Sequence, residues 1–126
     1  MNKRRSFIAG IKSISLSQKE KKFFVKYKPW GIILFSRNIK TIIQVKKLTK
    51  EIRRIFNDPN YPILIDQEGG KVNRLKQFFN TNIFTSEYFG KLYTKDKKKF
   101  NRNYNIFINK TSELLKTIGV NINTVP

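Results

Sequence analysis

Apolar positions along the chain fall into two alternating rhythms. Phe7-Ile8-Ala9-Gly10-Ile11 is a short unbroken apolar run, consistent with a buried strand. Ser17-Gln18-Lys19-Glu20 then has the spacing of a capping box, in which hydroxyl and carboxylate each satisfy an orphan backbone N–H. This predicts a helix with Phe23, Phe24 and Tyr27 on its inward face, stopped by Pro29. Gly31-Ile32-Ile33-Leu34-Phe35 is a second apolar run, and Thr41-Ile42-Ile43-Gln44 a second candidate capping box. Behind it Ile42, Val45, Leu48, Ile52 and Ile55 recur at three- and four-residue steps, the stripe of an amphipathic helix. Asn57-Asp58-Pro59-Asn60 has turn chemistry, and Pro62-Ile63-Leu64-Ile65 is a third strand running into Asp66. Residues 71 to about 95 are polar and aromatic and are expected to form a loop with room for a short helix. From about Asp96, Phe100, Tyr104, Phe107, Thr111, Leu114 and Ile118 return to helical spacing, with Gly119 placed as the C-cap. A fourth strand begins at Val120.

Strands alternating with helices predict an α/β fold with a parallel sheet. A doubly wound sheet and a barrel both satisfy that order. The 126 residues suffice for one ordinary domain, whereas a (β/α)₈ barrel takes about 250. The sequence stops within its fourth strand, so the expectation is a fold cut short, with open strand edges. Poor solubility or loose packing is expected to follow.

Composition narrows the chemistry. A hydrophobic content of 39% supports a real core and excludes a disordered tail. Lys and Arg number 27 against 8 Asp and Glu, a formal +19, which raises nucleic acid or an anionic membrane as a partner. The bases are scattered along the chain, and the joint richness in Lys, Asn, Ile and Phe fits codon bias of an AT-rich genome. Solvated surface is therefore the preferred explanation, and nucleic acid an unlikely partner. Without Cys there are no disulfides or thiolate metal sites, and without His the commonest acid–base group and metal ligand are absent. Lys3-Arg4-Arg5-Ser6-Phe7-Ile8 has the look of a twin-arginine export signal, but Lys12 interrupts the apolar stretch of about 7–15 residues that such a signal needs. No segment approaches the roughly 20 apolar residues of a membrane span. The expectation is a cytoplasmic protein with no membrane partner.

The stretch richest in chemistry is Asp66-Gln67-Glu68-Gly69-Gly70-Lys71-Val72-Asn73-Arg74, directly after the third strand. In parallel α/β folds the carboxyl ends of the strands open onto the ligand site. A carboxylate there can accept hydrogen bonds from sugar hydroxyls or hold a cation. Gly69 and Gly70 permit a sharp turn and a close backbone approach to a ligand. Arg74 offers a permanently charged fork of donors. A purely structural alternative has the same residues closing a loop, with Arg74 paired to Glu68. Asp66 and Glu68 are not a retaining-glycosidase pair, because both approach from one side and an acid and a nucleophile must flank the bond.

This stretch closely resembles the D-x-E-G-G-R-V-x-R segment of glycoside hydrolase family 3, especially its bacterial β-N-acetylhexosaminidases of peptidoglycan recycling. Gly31-Ile32-Ile33-Leu34-Phe35-Ser36-Arg37-Asn38 resembles the family's G-G-x-I-L-F-x-R-N strand. Gly119-Val120-Asn121-Ile122-Asn123-Thr124-Val125-Pro126 resembles its G-(I/V)-(D/N)-x-(N/S)-x-A-P strand. The resemblance implies the amino-terminal half of a (β/α)₈ barrel, residues 1–126 forming part of the family's catalytic barrel domain. It implies hydrolysis of terminal β-linked N-acetylglucosamine from muropeptides, with retention of configuration and no cofactor or metal. Carried over by motif, Asp66 and Arg74 bind substrate, and Glu68, Gly69, Gly70 and Lys71 support them.

The family's nucleophilic Asp and its acid–base His lie beyond the position aligned with Pro126, so no catalytic residue is expected in this chain and inactivity alone is expected. Lys71 stands where the family usually has Arg, which keeps the charge and loses the planar fork. One further possibility is that a second polypeptide supplies the missing carboxy-terminal half of the barrel. The alternative from another class is a small basic nucleic-acid-binding module, built on Phe78, Phe79, Tyr88, Phe89, Tyr93 and Phe100 among the bases.

Overall fold

A computed structural model describes residues 3–125. Four strands, β1 (Arg5–Gly10), β2 (Pro29–Leu34), β3 (Ile63–Ile65) and β4 (Ile122–Asn123), form one parallel sheet in the order β1-β2-β3-β4. Between them lie α1 (Gln18–Tyr27), α2 (Ile42–Phe56), and the pair α3 (Ser86–Lys95) and α4 (Lys97–Thr117). A doubly wound sheet reverses its strand order and carries helices on both faces. Here the order never reverses, and α1, α2 and α4 share a single core with one face of the sheet. The winding is that of a (β/α)₈ barrel, four strands in.

That core explains which residues became strands. Ile32, Leu34, Ile63 and Ile65 are fully buried against Phe24 of α1, Val45, Leu48 and Ile52 of α2, and Leu115 of α4. The strand register sets Gly10 opposite Ile33, Ile33 opposite Leu64, and Leu64 opposite Ile122. Side chains alternate along a strand, so these residues line the other, inner face. Ile8 on that face is 46% exposed, and Ile33 and Ile122 are half-buried. Leu64 is buried there, because it lies over Gly31, where any Cβ would stand 2.7 Å from the Leu64 Cδ1.

The first helix starts as its sequence dictates. The Glu20 N–H donates to the Ser17 hydroxyl, and the Ser17 N–H donates to the Glu20 carboxylate at 2.8 Å, closing the capping box. At α2 only half of the expected box forms. Gln44 N–H donates to the Thr41 hydroxyl, but the Gln44 side chain accepts from Lys40 N–H and donates to the Ile14 and Asn38 carbonyls. Its amide ties down the β1–α1 connection instead of the cap, a use open to an amide and closed to a carboxylate.

Two other expectations change. Of the three aromatics assigned to the inward face of α1, Phe24 is buried, Tyr27 is half-buried and Phe23 is 42% exposed. Phe23 packs edge-on against Phe7 of β1 and leans on Tyr27, outside the core. The stretch expected to be mostly loop contains the ten-residue α3, which begins where the Thr85 hydroxyl accepts from Tyr88 N–H. Its aromatics obscured the helical period by packing on α4: Phe89 meets Phe100, Tyr104 and Phe107 with ring centroids 5.0–6.2 Å apart. Asp96 ends α3 and caps α4, accepting from Lys99 N–H, and α4 closes at Ile118 with Gly119 next at φ +83°.

Candidate functional site

Strand β3 ends at Ile65, paired with Leu34 at the end of β2, so Phe35 and Asp66 leave the sheet side by side. Asp66 is the first residue beyond β3, at the carboxyl end where parallel sheets bind ligands. Its Oδ2 lies 3.5 Å from Arg74 Nη2, and both side chains are about a third exposed. Arg74 therefore pairs with Asp66 rather than with Glu68. The guanidinium carbon of Arg74 also lies 5.8 Å from the centre of the Phe35 ring, while its Nε is buried with no hydrogen-bond partner.

The loop that returns Arg74 to Asp66 is held by its own backbone and by three amides. Glu68 and Gly69 N–H both donate to the Val72 carbonyl, and Val72 N–H donates back to the Gly69 carbonyl. Gly69 and Gly70 have φ of +102° and +55°, the left-handed region that other residues avoid. A Cβ on Gly69 would stand 2.6 Å from the Phe84 carbonyl oxygen, and one on Gly70 2.8 Å from the Thr85 methyl. The turn expected at these glycines is present, and the backbone they admit closely is the chain's own 84–85 segment.

Gln67 and Asn73 carried no assigned role in the sequence, yet they organise this loop. Gln67 is 2% exposed. Its side-chain oxygen accepts from Arg74 N–H at 2.8 Å and Leu75 N–H at 3.1 Å, and its amide donates to Asn73 Oδ1 at 3.0 Å. Asn73 donates in turn to the Phe79 carbonyl. From β4, Asn123 grips the Gln67 backbone on both sides: its Oδ1 accepts from Gln67 N–H at 2.9 Å and its Nδ2 donates to the Gln67 carbonyl at 3.0 Å. A paired amide of this kind fixes the orientation of the peptide beside Asp66. The signal that could have found these residues is their placement between Asp66 and Arg74 and at the end of β4.

Lys71 and Glu68 are exposed, and among the described residues neither is in an ion pair. No three His, Cys, Asp or Glu side chains come together among the described residues. The aromatics of the nucleic-acid alternative are committed elsewhere. Phe89 is buried, Phe78, Phe79, Tyr88 and Phe100 are half-buried, and Tyr93 is exposed at 47%. Most of them pack α3 on α4 rather than facing outward as stacking platforms. Among the described residues no helix is long and apolar enough to cross a membrane.

A singly wound parallel βα sheet of four strands, in unbroken order, is the first part of a TIM-barrel-type domain. No family profile matches the chain. The β-hexosaminidase of Neisseria meningitidis serogroup A is 35% identical over 89 residues, covering 71% of this chain and 24% of the relative. Native NagZ from Neisseria gonorrhoeae superposes with a TM-score of 0.86 at 27% identity, over 98% of this chain and 36% of that one. NagZ from the same organism in complex with N-trifluoroacetyl-D-glucosamine matches with a TM-score of 0.62 at 34% identity, over 74% of this chain and 26% of that one. The chain belongs to glycoside hydrolase family 3, among its bacterial β-N-acetylhexosaminidases, and matches the amino-terminal part of their barrel. It spans about a quarter of the length of the curated relatives it matches.

Proposed function

We propose that this chain contributes the first part of the sugar site of a retaining glycosidase that removes terminal β-linked N-acetylglucosamine from muropeptides in the cytoplasm. The observation that carries the reading is the Asp66–Arg74 pair at the carboxyl end of β3, in a chain 35% identical to a β-hexosaminidase. Asp66 accepts hydrogen bonds from sugar hydroxyls. Arg74 holds the Asp66 carboxylate in place through the pair at 3.5 Å. Gly69 and Gly70 shape the turn, and Lys71 and Glu68 sit at its rim. The relative crystallised with N-trifluoroacetyl-D-glucosamine supports an N-acylglucosamine as the sugar.

The chain alone binds and does not turn over. It contains no His, and the residues described at the strand ends offer no second carboxylate on the opposite side of a bound sugar. Residues 1–126 act as part of a catalytic barrel domain completed by a carboxy-terminal half. The test is twofold. The 126-residue chain is expected to show no hydrolysis of a chromogenic β-N-acetylglucosaminide, and turnover by the purified chain overturns the assignment of inactivity. N-Acetylglucosamine is expected to shift the backbone amide signals of 66–75, and Asp66→Ala to abolish those shifts. Shifts confined to other regions, or none, overturn the sugar-site assignment.

A further inference from the structure

The opposite end of the sheet carries a second concavity. It opens between the carboxyl ends of α1 and α2, at the amino ends of β1 and β2, and has a volume of about 670 Å³. Small-molecule sites span about 300–1,000 Å³. No residue of α3, α4 or β4 lines it, nor does any residue of the Asp66 loop. Phe24 and Phe56 line it with ring centroids 6.1 Å apart, and Phe56 stacks on Tyr61 at 3.9 Å. Trp30 lines it as well. The indole is 43% exposed, joins neither of these ring pairs, and has no cation over it among the described residues. In the G-G-x-I-L-F pattern the first glycine falls at Trp30, so the indole is this chain's own addition to β2.

The charge around the cavity is one-sided. Among the described residues its one lining carboxylate is Asp58, which is paired with Arg4, and the Arg4 guanidinium lies 4.8 Å from the centre of the Tyr61 ring. The next carboxylate back along α2, Glu51, is held by Lys21. Lys28 lines the cavity too, from a left-handed cap at φ +47°. Lys3, Arg5, Lys26 and Arg54, neighbours of lining residues in the chain, are all exposed. A cation is repelled here, and an uncharged apolar guest leaves the Lys28 charge uncompensated beside it. A flat ring on the indole with a negative tail at Lys28 meets both conditions. Several cations around one rim suit a dianion, and the volume exceeds what a single-ring acid fills. A heterocyclic base joined to a phosphate has that combination.

We propose that this cavity binds a nucleoside phosphate, with the base stacked on Trp30 and the phosphate at Lys28. None of the residues assigned to the sugar takes part, so the proposal stands or falls independently of the sugar-site reading.

Trp30 is the only tryptophan in the chain, so tryptophan fluorescence reads this cavity alone. The 126-residue chain is titrated with adenosine monophosphate, with adenosine and with inorganic phosphate. The monophosphate is expected to quench Trp30 saturably. Its affinity should be on the order of tenfold above that of adenosine, as one charge-assisted contact supplies. Inorganic phosphate, lacking a ring, is expected to leave the emission unchanged. Lys28→Asn removes the charge and keeps a residue that tolerates the left-handed backbone, so it should equalise the two affinities. Trp30→Ala, followed by the amide shifts of 55–58, should weaken the monophosphate on the order of tenfold or more. Asp66→Ala should leave its binding unchanged. Emission unmoved by the monophosphate overturns the proposal, as does equal affinity for adenosine in the parent chain. Equal quenching by inorganic phosphate overturns the stacked base, and so does full affinity in Trp30→Ala. A preference that survives Lys28→Asn overturns the place of the phosphate. Loss of binding in Asp66→Ala would put the ligand at the other end of the sheet and overturn the cavity as its site.

Discussion

The two faces of the sheet are built from the same kind of residue and live in different surroundings. On the helix side Ile32, Leu34, Ile63 and Ile65 are fully buried among α1, α2 and α4. On the inner side Ile33, between Ile32 and Leu34 on β2, and Ile8 on the neighbouring β1 remain open to solvent in part. Isoleucine is chosen for both faces because a parallel strand in a barrel is to be buried on both. The lesson is that the apolar pattern of such a strand describes the whole barrel, whereas stability within these residues comes from one side only. The candidate site sits at the upper rim of the weaker side, which is why it depends on amide clamps rather than on packing.

The largest effects are expected on the covered face. Ile52→Ala and Ile63→Ala should each destabilise the chain by about 2–5 kcal/mol through transfer and cavity terms. Urea unfolding should show a lower midpoint at unchanged slope, and a loss below 1 kcal/mol would break the asymmetry between the faces.

Next comes the rim. Gln67→Leu leaves the Arg74 N–H without its acceptor in a buried loop, a loss of about 1–3 kcal/mol. Hydrogen exchange sharpens this prediction, since protection of the Arg74 amide should vanish while that of Ile63 and Ile65 persists. Uniform loss across β3 would mean that the loop and the strand are one unit.

On the inner face Ile8→Ser should change stability by no more than about 0.5 kcal/mol. It should also reduce binding of a hydrophobic dye, because the open apolar face of the sheet is what such a dye finds. A destabilisation like that of Ile52→Ala would show the inner face to be packed in solution.

The smallest effect belongs to the cap that starts the first covering helix. Burial works against the charge on Glu20, but hydrogen bonds from the Ser17 side chain and from the Lys12 and Ser17 backbone, together with the Lys12 charge, outweigh it and hold the carboxyl below its ordinary value of 4.5. A lowered carboxyl contributes stability that is fully present above 4.5 and is lost as the pH falls through the folded-state value. Because Glu20 is only half-buried and its partners lie at the surface, solvent screening keeps the contribution to about 0.5 kcal/mol or less. Glu20→Gln should flatten the acid limb of thermal stability by that amount, and an unchanged limb would remove the cap from the account.

Much of this architecture is legible in the sequence. The three apolar runs, the Ser17 box and the α2 stripe mark their own elements, because each is a local pattern with a local cause. Asp66, Arg74 and the two glycines stand out because they follow an apolar strand and match a family motif, whereas their residue types alone are equally compatible with closing a loop. The misreadings share one origin. Periodicity places Phe23, Phe24 and Tyr27 near one another on α1 but does not say which of them meets the sheet, and β1 beside the helix decides it. Likewise nothing local marks Gln44 for Ile14, or Arg37 for Ile11, across 30 and 26 residues. Side chains that bind distant backbone carry no period, so the amides that hold the site were the least visible part of it.

Asn123 lies 56 residues downstream of the Gln67 peptide that it grips. On the ribosome, at ~5–20 residues per second, that separation is a wait of several seconds. During it β1 to β3 and their helices can assemble, while the turn after Asp66 still lacks the residue that sets its shape. The loop from Asp66 to Arg74 is thus among the last parts of these residues to be finished, and its completion reports that the chain has been made as far as β4.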